Sequence, residues 1–217
     1  MIVVVDYGRG NLFSLGQALR YLDATFEITG DPAKLAAAER IILPGVGAFG
    51  DAMARLRDFG LVEPLKAAEA AGKPLLGICV GCQLLLSKGE EFGEHEGFGF
   101  VPGRVARLPD PDRTRPPADR TRIPNIGWRR LRHKPDDPYV GDLDDDTMVY
   151  FVHSYAPFVE NPADTAATIS VNGAAVPAII RHGSIVGYQF HPEKSGPAGL
   201  DLLARFLSLP ASRKSVH

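Results

Sequence analysis

The chain has 217 residues, of which 45% are hydrophobic and 23% are charged, and its formal net charge is −2. This size and apolar content allow one sizeable core, and the charge gives no reason to expect nucleic acid or a membrane as a partner. The chain begins on a strand-like run rather than a signal peptide, and no apolar run approaches the ~18 residues of a membrane span, so a cytoplasmic protein is expected.

Strands and helices alternate through the first half of the chain, as hydrophobic periodicity and turn residues indicate. The predicted strands are Ile2–Val5, Phe26–Ile28, Arg40–Leu43 and Leu75–Ile78. The predicted helices are Leu12–Leu22, a short helix that begins at Pro32 after the cap Asp31, Phe49–Phe59, Val62–Ala71 and Val80–Leu86. This order predicts right-handed βαβ units and a mainly parallel central sheet with flanking helices.

Short strands separated by hairpin turns dominate the second half. They are Trp128–Leu131, Met148–Val152, Ala166–Val171, Ala178–Arg181 and Ile185–Phe190, and a helix over Ala198–Leu207 follows them. Pro177 is expected just ahead of its strand, where its missing N–H does least harm. We expect this half to be antiparallel and to fold back onto the first, so that residues 1–207 form one domain and residues 208–217 a polar tail.

Two segments have the composition of surface loops. Residues 90–97 are acidic and Gly-rich, and because they lack the spacing of a metal site, a solvated loop and no metal are expected. Residues 109–122 are rich in Pro, Asp and Arg and cannot bury an apolar face, which predicts a mobile surface loop. A solvated tip is favoured there over a phosphate site formed by Arg113, Arg115, Arg120 and Arg122.

Cys79 lies between Gly77 and Gly81, where a predicted strand meets a predicted helix. This G-x-nucleophile-x-G pattern is typical of a nucleophile elbow, and the glycines permit the close contacts of a sharp turn. The alternative is a buried structural cysteine, the commoner role of a free cysteine. Cys82 completes a C-x-x-C spacing, but no second cysteine pair exists, so we interpret it as a small core residue.

A candidate general base and a carboxylate lie near the other end of the chain. His191 follows the predicted strand Ile185–Phe190, and Pro192 favours an extended conformation for it. In an extended segment His191 and Glu193 face the same side, which suits a carboxylate that orients an imidazole. An isolated His-Pro-Glu is more commonly a solvated surface turn, so the hypothesis depends on His191 meeting Cys79 in the fold.

Glycines flank Val46 in the segment that follows the predicted strand Arg40–Leu43. They let the peptide plane at Val46 turn over, which makes the Val46 N–H a candidate oxyanion donor. The N–H of Val80, directly after the candidate nucleophile, is the second candidate. An ordinary turn between a strand and a helix is the alternative for residues 44–47.

The segments around Cys79 and His191 together resemble the class I glutamine amidotransferases, which use a Cys-His-Glu triad. Within that family the chain is similar to the glutaminase subunits of imidazole glycerol phosphate synthases. The resemblance extends from Ile2 to about Leu207. The motifs that carry it are Asp6–Leu12, Pro44–Phe49, Gly77–Leu85, Tyr150–Tyr155 and His191–Gly196.

This resemblance implies a flavodoxin-like α/β fold and the hydrolysis of glutamine to glutamate and ammonia without a cofactor. It implies a triad of Cys79, His191 and Glu193, with Val46 and Val80 as the oxyanion hole. It also gives Gly47, Ser154 and Tyr155 a role in glutamine binding. Gln83 lies one helical turn beyond Cys79, so its amide is expected to reach the same pocket and bind the amino-acid end of glutamine. His153 precedes Ser154 and Tyr155 in its strand and is expected to point away from the pocket.

The resemblance also implies a partner, because free ammonia would be wasted. The implied partner is a (β/α)8-barrel cyclase, which forms a heterodimer with the glutaminase and uses the ammonia in histidine biosynthesis. The residues expected at this interface are Asn11, Trp128, Tyr150 and Lys194. Trp128 is the single tryptophan of the chain, and a place in the core is its alternative.

One motif departs from the family pattern. The family usually has P-H-x-G-W-N at the positions of Pro124–Arg129, where this chain has Asn125 in place of His and Arg129 in place of Asn. Neither position belongs to the triad, but both bear on the partner. One alternative is therefore a paralogous glutaminase that supplies a sugar amidotransferase of surface-polysaccharide biosynthesis. The others are a general cysteine hydrolase such as a γ-glutamyl peptidase, which needs no partner, and a non-catalytic, redox-sensing interaction subunit.

Overall fold

The computed structural model describes residues 1–111, 114, 116 and 120–210. Its helices are α1 (Leu12–Tyr21), α2 (Pro32–Ala37), α3 (Phe49–Asp58), α4 (Val62–Ala70), α5 (Val80–Leu84) and α6 (Gly196–Leu207). Its strands are β1 (Ile2–Val5), β2 (Phe26–Thr29), β3 (Arg40–Gly45), β4 (Leu75–Cys79), β5 (Leu86–Gly89), β6 (His95–Glu96), β7 (Val101–Arg107), β8 (Asn125–Arg130), β9 (Arg132–His133), β10 (Met148–His153), β11 (Tyr155–Val159), β12 (Thr165–Val171), β13 (Ala174–His182) and β14 (Ile185–Tyr188).

An eight-stranded sheet in the order β2-β1-β3-β4-β14-β13-β12-β9 forms the centre of the fold. The strands β2, β1, β3, β4 and β14 run parallel, and β13, β12 and β9 continue the sheet antiparallel. Every residue of β4 is buried, as its unbroken run of Leu, Gly, Ile and Cys requires of a strand covered on both faces. The predicted α/β class, with a mainly parallel central sheet, flanking helices and an antiparallel C-terminal part, is confirmed.

The parallel strands bring distant segments to one edge of this sheet. β4 lies between β3 and β14, with Gly45 beside Cys79 and Tyr188 beside Ile78. The candidate nucleophile, the Gly-rich segment after β3 and the chain leading from β14 to His191 therefore leave the sheet at the same edge. In open α/β sheets, ligands bind outside the carboxyl ends of the strands, so a ligand site is expected at this edge.

Two smaller sheets complete the fold. One has four strands in the order β11-β7-β5-β6, and the other pairs β10 with β8. The strands β5, β6, β7, β9 and β11 were not predicted from the sequence, and the helix predicted as far as Leu86 ends at Leu84. Residues 80–86 are all buried, so they carry no polar and apolar alternation that would have marked the end of the helix.

Pro177 lies inside β13, not ahead of it as predicted. Its partner across the ladder is Thr168, next to a register shift between Ala167 and Thr168. A bulge interrupts the regular hydrogen bonding at this point, so a residue without an N–H costs little there.

The remaining expectations concern Cys82, the predicted surface loop and tail, and membrane-spanning helices. Cys82 is fully buried, as expected of a core residue. Much of the predicted loop 109–122, including Arg113 and Arg115, and residues 211–217 of the predicted tail lie outside the described residues. In the described ranges, no helix is both long enough and apolar enough to cross a membrane.

Candidate active site

Cys79 is the last residue of β4 and has φ 55° and ψ −112°. A positive φ is unfavourable for a residue with a Cβ, so the surrounding structure must hold this turn in place. Gly77 and Gly81 permit it: a Cβ on Gly77 would lie 2.7 Å from the Cys82 nitrogen, and one on Gly81 would overlap the Leu43 carbonyl oxygen. The strand-to-helix elbow is thus present, with Cys79 at its apex.

His191 and Glu193 come together in a tight turn. His191 is extended, with φ −99° and ψ 98°, and Pro192–Lys194 forms a 3₁₀ turn. The Nδ1 atom of His191 lies 3.0 Å from Oε1 of Glu193, whose side chain is only 3% exposed. The pairing and the extended conformation of His191 were predicted, but Glu193 lies in a 3₁₀ turn that begins at Pro192 and not in a continuing extended segment.

The environment of His191 keeps its imidazole charged. Burial by itself lowers the pKa of His191, but the interaction with Cys79 and with the Glu193 carboxylate, to which Nδ1 is hydrogen-bonded, raises it from 6.5 to about 10. An imidazolium next to a thiolate is the form in which a cysteine is ready to attack. The site therefore brings together the three groups that were predicted as nucleophile, proton carrier and orienting carboxylate.

Glu193 also contacts the N-terminal part of the chain. Its Oε1 accepts a hydrogen bond from Nδ2 of Asn11 at 3.4 Å, and its buried Oε2 has no hydrogen-bond partner in the described part of the chain. Asn11 precedes α1, yet its side chain makes no capping hydrogen bond to that helix. Asn11 thus contacts the triad carboxylate instead of capping its own helix.

A cavity of about 270 Å³ opens at this edge of the sheet. Pockets for drug-sized ligands span about 300–1,000 Å³, so this one suits a ligand as small as an amino acid. Every residue predicted to catalyse, to form the oxyanion hole or to bind glutamine lines it, apart from Glu193, which lies behind His191. The lining residues are Val46, Gly47, Cys79, Val80, Gln83, Glu91, Pro124, Val152, His153, Ser154, Tyr155 and His191.

Similarity to known proteins extends over nearly the whole chain. The family model described as glutamine amidotransferase class-I matches residues 3–209. The chain belongs to the class I glutamine amidotransferase family.

Relatives of this amidotransferase are named as subunits of imidazole glycerol phosphate synthase. The chain is 42% identical over 215 residues to the subunit HisH of Salinibacter ruber, an alignment that covers 99% of this chain and 97% of that one. It is 45% identical over 206 residues to the subunit HisH of Desulfitobacterium hafniense, covering 95% and 93% of the two chains. The resemblance stated from the motifs is thereby confirmed.

Solved structures share the fold. The structure of PurLQS from Thermotoga maritima matches with a TM-score of 0.66 at 20% identity, over 95% of this chain and 96% of that one. A glutamine amidotransferase matches with a TM-score of 0.69 at 18% identity, over 95% and 99%. At these identities the two structures are evidence for the amidotransferase fold alone.

Gln83 is held in one orientation at the base of the cavity. Its Nε2 donates to the Tyr155 carbonyl oxygen and to Oε1 of Gln189, both at 2.9 Å. Both amide hydrogens are therefore used, whereas the amide oxygen of Gln83 has no hydrogen-bond partner among the described residues and can accept a hydrogen bond from a ligand. This arrangement suits the substrate-binding role predicted for Gln83 in the amidotransferase.

Glu91 was not predicted as a site residue, because the acidic segment 90–97 was interpreted as solvated. It lines the cavity, and its Oε2 accepts the N–H of Phe49 at the start of α3 with a distance of 2.9 Å. The sequence offers one weak signal for this contact: a carboxylate is favoured near the N-terminus of a helix. Nothing local showed that α3 and this segment would meet.

His153, which was expected to point away from the pocket, is among the residues that line the cavity. Its ring is buried, and both ring nitrogens are engaged: Nε2 with Nδ2 of Asn125 and Nδ1 with the Tyr155 carbonyl oxygen, each at 2.9 Å. Burial, followed by the charges of Arg129 and His191, lowers the pKa of His153 from 6.5 to about 4, although the Tyr155 hydrogen bond opposes this. His153 is therefore neutral at pH 7.

The four residues predicted at the partner interface form a connected group. Trp128 is 47% exposed and packs edge-on against Tyr150 with ring centroids 6.0 Å apart. The Tyr150 carbonyl accepts the His191 N–H at 3.0 Å, which ties this pair to the triad. Asn11 contacts Glu193, and Lys194 is the exposed residue that follows it. Trp128 therefore lies at the surface, and its alternative as a core residue is wrong.

Proposed function

We propose that this amidotransferase hydrolyses glutamine with Cys79 as the nucleophile, His191 as the proton carrier and Glu193 as the carboxylate that orients it. The observation that carries the proposal is that β4 and β14 bring these residues, distant in sequence, to one cavity of amino-acid size. Acyl transfer needs a nucleophile and a proton carrier. Cys79, at the apex of its elbow, supplies the first, and the His191 imidazolium supplies the second.

The reaction follows from this arrangement. The Cys79 thiolate attacks the side-chain carboxamide carbon of glutamine, and the N–H groups of Val46 and Val80 stabilise the oxyanion that forms. His191 gives its proton to the departing nitrogen, which leaves as ammonia and forms a γ-glutamyl thioester. The now neutral His191 then removes a proton from water as the water oxygen attacks the thioester carbon. The C–S bond breaks, glutamate's side-chain carboxyl group is released, and Cys79 leaves as the thiolate beside the reprotonated His191.

The other end of glutamine faces Gln83 and Glu91. The free amide oxygen of Gln83 accepts a hydrogen bond from the α-ammonium, and the Glu91 carboxylate supplies the opposite charge. Gly47, Ser154 and Tyr155 line the same cavity and complete the contacts with the substrate. Burial of a charged amino-acid end against these groups selects glutamine over an unsubstituted amide.

The names of the relatives point to the destination of the ammonia. Proteins 42% and 45% identical to this chain are subunits of imidazole glycerol phosphate synthase. The protein is accordingly the glutaminase subunit of such a synthase in histidine biosynthesis, and it passes ammonia to a (β/α)8-barrel cyclase in a heterodimer. Its contact surface contains Asn11, Trp128, Tyr150 and Lys194.

Two measurements test the proposal. Glutamate release is assayed with the purified chain alone, and then with a barrel cyclase and its phosphoribosyl-carboxamide ribonucleotide; strong stimulation is expected, and full activity of the chain alone would contradict the partner. Cys79→Ala should abolish hydrolysis and leave the fold intact, whereas turnover retained by this variant would exclude Cys79 as nucleophile. Cys82→Ala is the matched control, since the thiol of Cys82 is buried in the core and outside the cavity.

A further inference from the structure

Two residues behind the cavity lie on one face of the two-stranded sheet β8–β10. Asn125 and Arg129 are four positions apart in β8, so their side chains leave the strand on the same side. Asn125 is fully buried and lies directly opposite His153 in the ladder. Cross-strand neighbours of this kind are close enough to interact. These are also the two positions at which the chain departs from the family motif.

The hydrogen bonds among these residues have one possible direction. Nε of Arg129 is a donor only, so the atom of Asn125 that it contacts at 2.8 Å is the amide oxygen. The amide nitrogen of Asn125 then faces Nε2 of His153 at 2.9 Å and donates to it. His153 must accept at Nε2, and its single proton is therefore on Nδ1.

The same order continues from His153 to the substrate cavity. Nδ1 of His153 donates to the Tyr155 carbonyl oxygen at 2.9 Å, and that oxygen also accepts Nε2 of Gln83 at 2.9 Å. The carbonyl oxygen of Tyr155 has two lone pairs, and both are used. A His153 with its proton on Nε2 would direct a lone pair at the Tyr155 carbonyl oxygen and an N–H at the Asn125 amide nitrogen, and both contacts would become repulsive.

Resting on the proposed glutaminase function, we propose that Arg129 and Asn125 are positioning residues for glutamine binding. They fix His153 in its neutral Nδ1–H form, and His153 in turn holds the Tyr155 carbonyl that orients the Gln83 amide towards the substrate. Neither residue lines the cavity, so both act through His153. Their loss weakens glutamine binding and leaves the chemical step at Cys79 largely intact.

The burial of His153 agrees with this assignment. The side chain is 6% exposed, and the guanidinium of Arg129 and the imidazolium of His191 both oppose a positive charge on it, which lowers the pKa of His153. A neutral imidazole has one N–H that donates and one nitrogen that accepts. The Tyr155 carbonyl oxygen accepts from Nδ1, and the Asn125 amide, held by Arg129, donates to Nε2.

The first test reads the tautomer directly. Imidazole ¹⁵N NMR of the intact wild-type protein at pH 7, with His153→Gln to assign the signal, should show His153 neutral with a proton on Nδ1 and an unprotonated Nε2. In Arg129→Ala the Asn125 amide is free to turn over, so Nε2 of His153 should lose its fixed donor and its ¹⁵N signal should shift or broaden, while the Tyr155 carbonyl oxygen still holds the proton on Nδ1. An Nε2 signal identical to that of the wild type would overturn the role of Arg129. A proton on Nε2 in the wild type would overturn the proposal, whether or not any variant folds.

The second test separates binding from chemistry. Asn125→Ala and Arg129→Ala should each raise the KM for glutamine about tenfold, the cost of one lost hydrogen bond, with kcat changed less than about twofold. Because Arg129 acts through Asn125, the double variant should be no worse than Asn125→Ala alone. Arg129→Lys, which keeps one donor, should recover part of the loss.

Arg130→Ala is the matched control, since Arg130 is exposed and pairs with Asp146 at 2.9 Å. Three outcomes would each overturn the positioning role: an unchanged KM in Asn125→Ala, additive increases in KM in the double variant, and an increase in KM in Arg130→Ala as large as that in Arg129→Ala. The assay runs beside Cys79→Ala: wild-type turnover that depends on Cys79 supports the glutaminase proposal on its own, so a failure of the positioning role is distinguishable from a failure of that function.

Discussion

Gly81, in the first turn of α5, lies against the backbone of Leu43 in β3 so closely that a Cβ on Gly81 would overlap the Leu43 carbonyl oxygen. This contact joins the helix after the nucleophile to the strand that leads to Val46. The contact joins the backbone of Gly81 to the backbone of Leu43 in the core of the protein. Neither residue can therefore move away without displacing α5 or β3.

Gly81→Ala should therefore lower the free energy of unfolding by about 3 kcal/mol and reduce glutamine turnover, since overpacking shifts the elbow that holds Cys79. The measurements are urea unfolding and glutamate release. Gly16→Ala in α1 is the control: its added Cβ would meet its nearest atom at 3.6 Å, and alanine favours a helix, so stability should hold or rise. A wild-type unfolding curve for Gly81→Ala would contradict the close contact.

Glu193→Gln removes the charge that helps to keep His191 protonated. The pKa of His191 should fall from about 10, so the alkaline limb of the pH profile of kcat should move to lower pH, and kcat should fall about a hundredfold or more as His191 loses its orienting partner. Steady-state kinetics from about pH 6 to about pH 10.5 would measure both. Glu63→Gln, at an exposed Glu63–Lys66 pair, is the control, and an unmoved alkaline limb in Glu193→Gln would exclude this role.

The stability of the protein should also depend on whether His191 is protonated. The folded pKa of His191 lies above its ordinary value of 6.5, so the stabilisation from its charged form is fully present below pH 6.5 and is lost as pH rises through about 10. Free energies of unfolding measured across this range should fall in the wild type and fall less in Glu193→Gln.

Glu91→Gln tests a carboxylate that was not predicted from the sequence. Glutamine at this position keeps an acceptor for the Phe49 N–H but loses the charge proposed to face the α-ammonium of the substrate. The KM for glutamine should rise about tenfold or more with a much smaller change in kcat, while stability stays close to wild type. Glu90→Gln, at an exposed residue 3.6 Å from Arg104, should leave the KM unchanged. Equal effects of the two variants would remove Glu91 from the binding site.

The triad could be predicted from the sequence because its residues lie in two short segments, each of which has a recognisable local pattern. The glycines around Cys79 are required by the elbow itself, so the pattern is visible without the rest of the fold. His191 and Glu193 are close in sequence, and the turn between them is set by Pro192. The contact between Glu91 and α3 depends on how two segments pack, and no local pattern encodes it.

Prolines account for two of the differences between the predicted and the observed strands. Pro102 interrupts the run of β7, which therefore did not look like a strand, yet the pairing of β5 with β7 shifts register at this point: Leu86 faces Val101 and Lys88 faces Arg104. Pro102 thus occupies a bulge in β7, where an N–H is not needed for the ladder. Pro177 in β13 is a second case. A bulge is defined by the partner strand, and the sequence of one strand does not reveal it.

Trp128→Ala should weaken binding of the cyclase without harming the isolated glutaminase. Trp128 and Tyr150 face each other across the β8–β10 ladder, and the next pair on the same side is Ile126 with Val152; Ile126, Trp128 and Val152 are 55%, 47% and 39% exposed. A contiguous exposed apolar surface marks an interaction site, and a central tryptophan there is a typical hot spot.

We expect the Kd for the partner to rise at least thirtyfold, or about 2 kcal/mol, in Trp128→Ala, measured by isothermal titration calorimetry, with basal glutamate release within about twofold of wild type. Tyr21→Ala is the control, because Tyr21 is 74% exposed at the end of α1 and outside this surface. Since the Tyr150 carbonyl accepts the His191 N–H, a partner seated on Trp128 and Tyr150 contacts the segment that carries the triad. The stimulation of the glutaminase at saturating partner should therefore also fall in Trp128→Ala, and unchanged affinity together with unchanged stimulation would place the interface elsewhere.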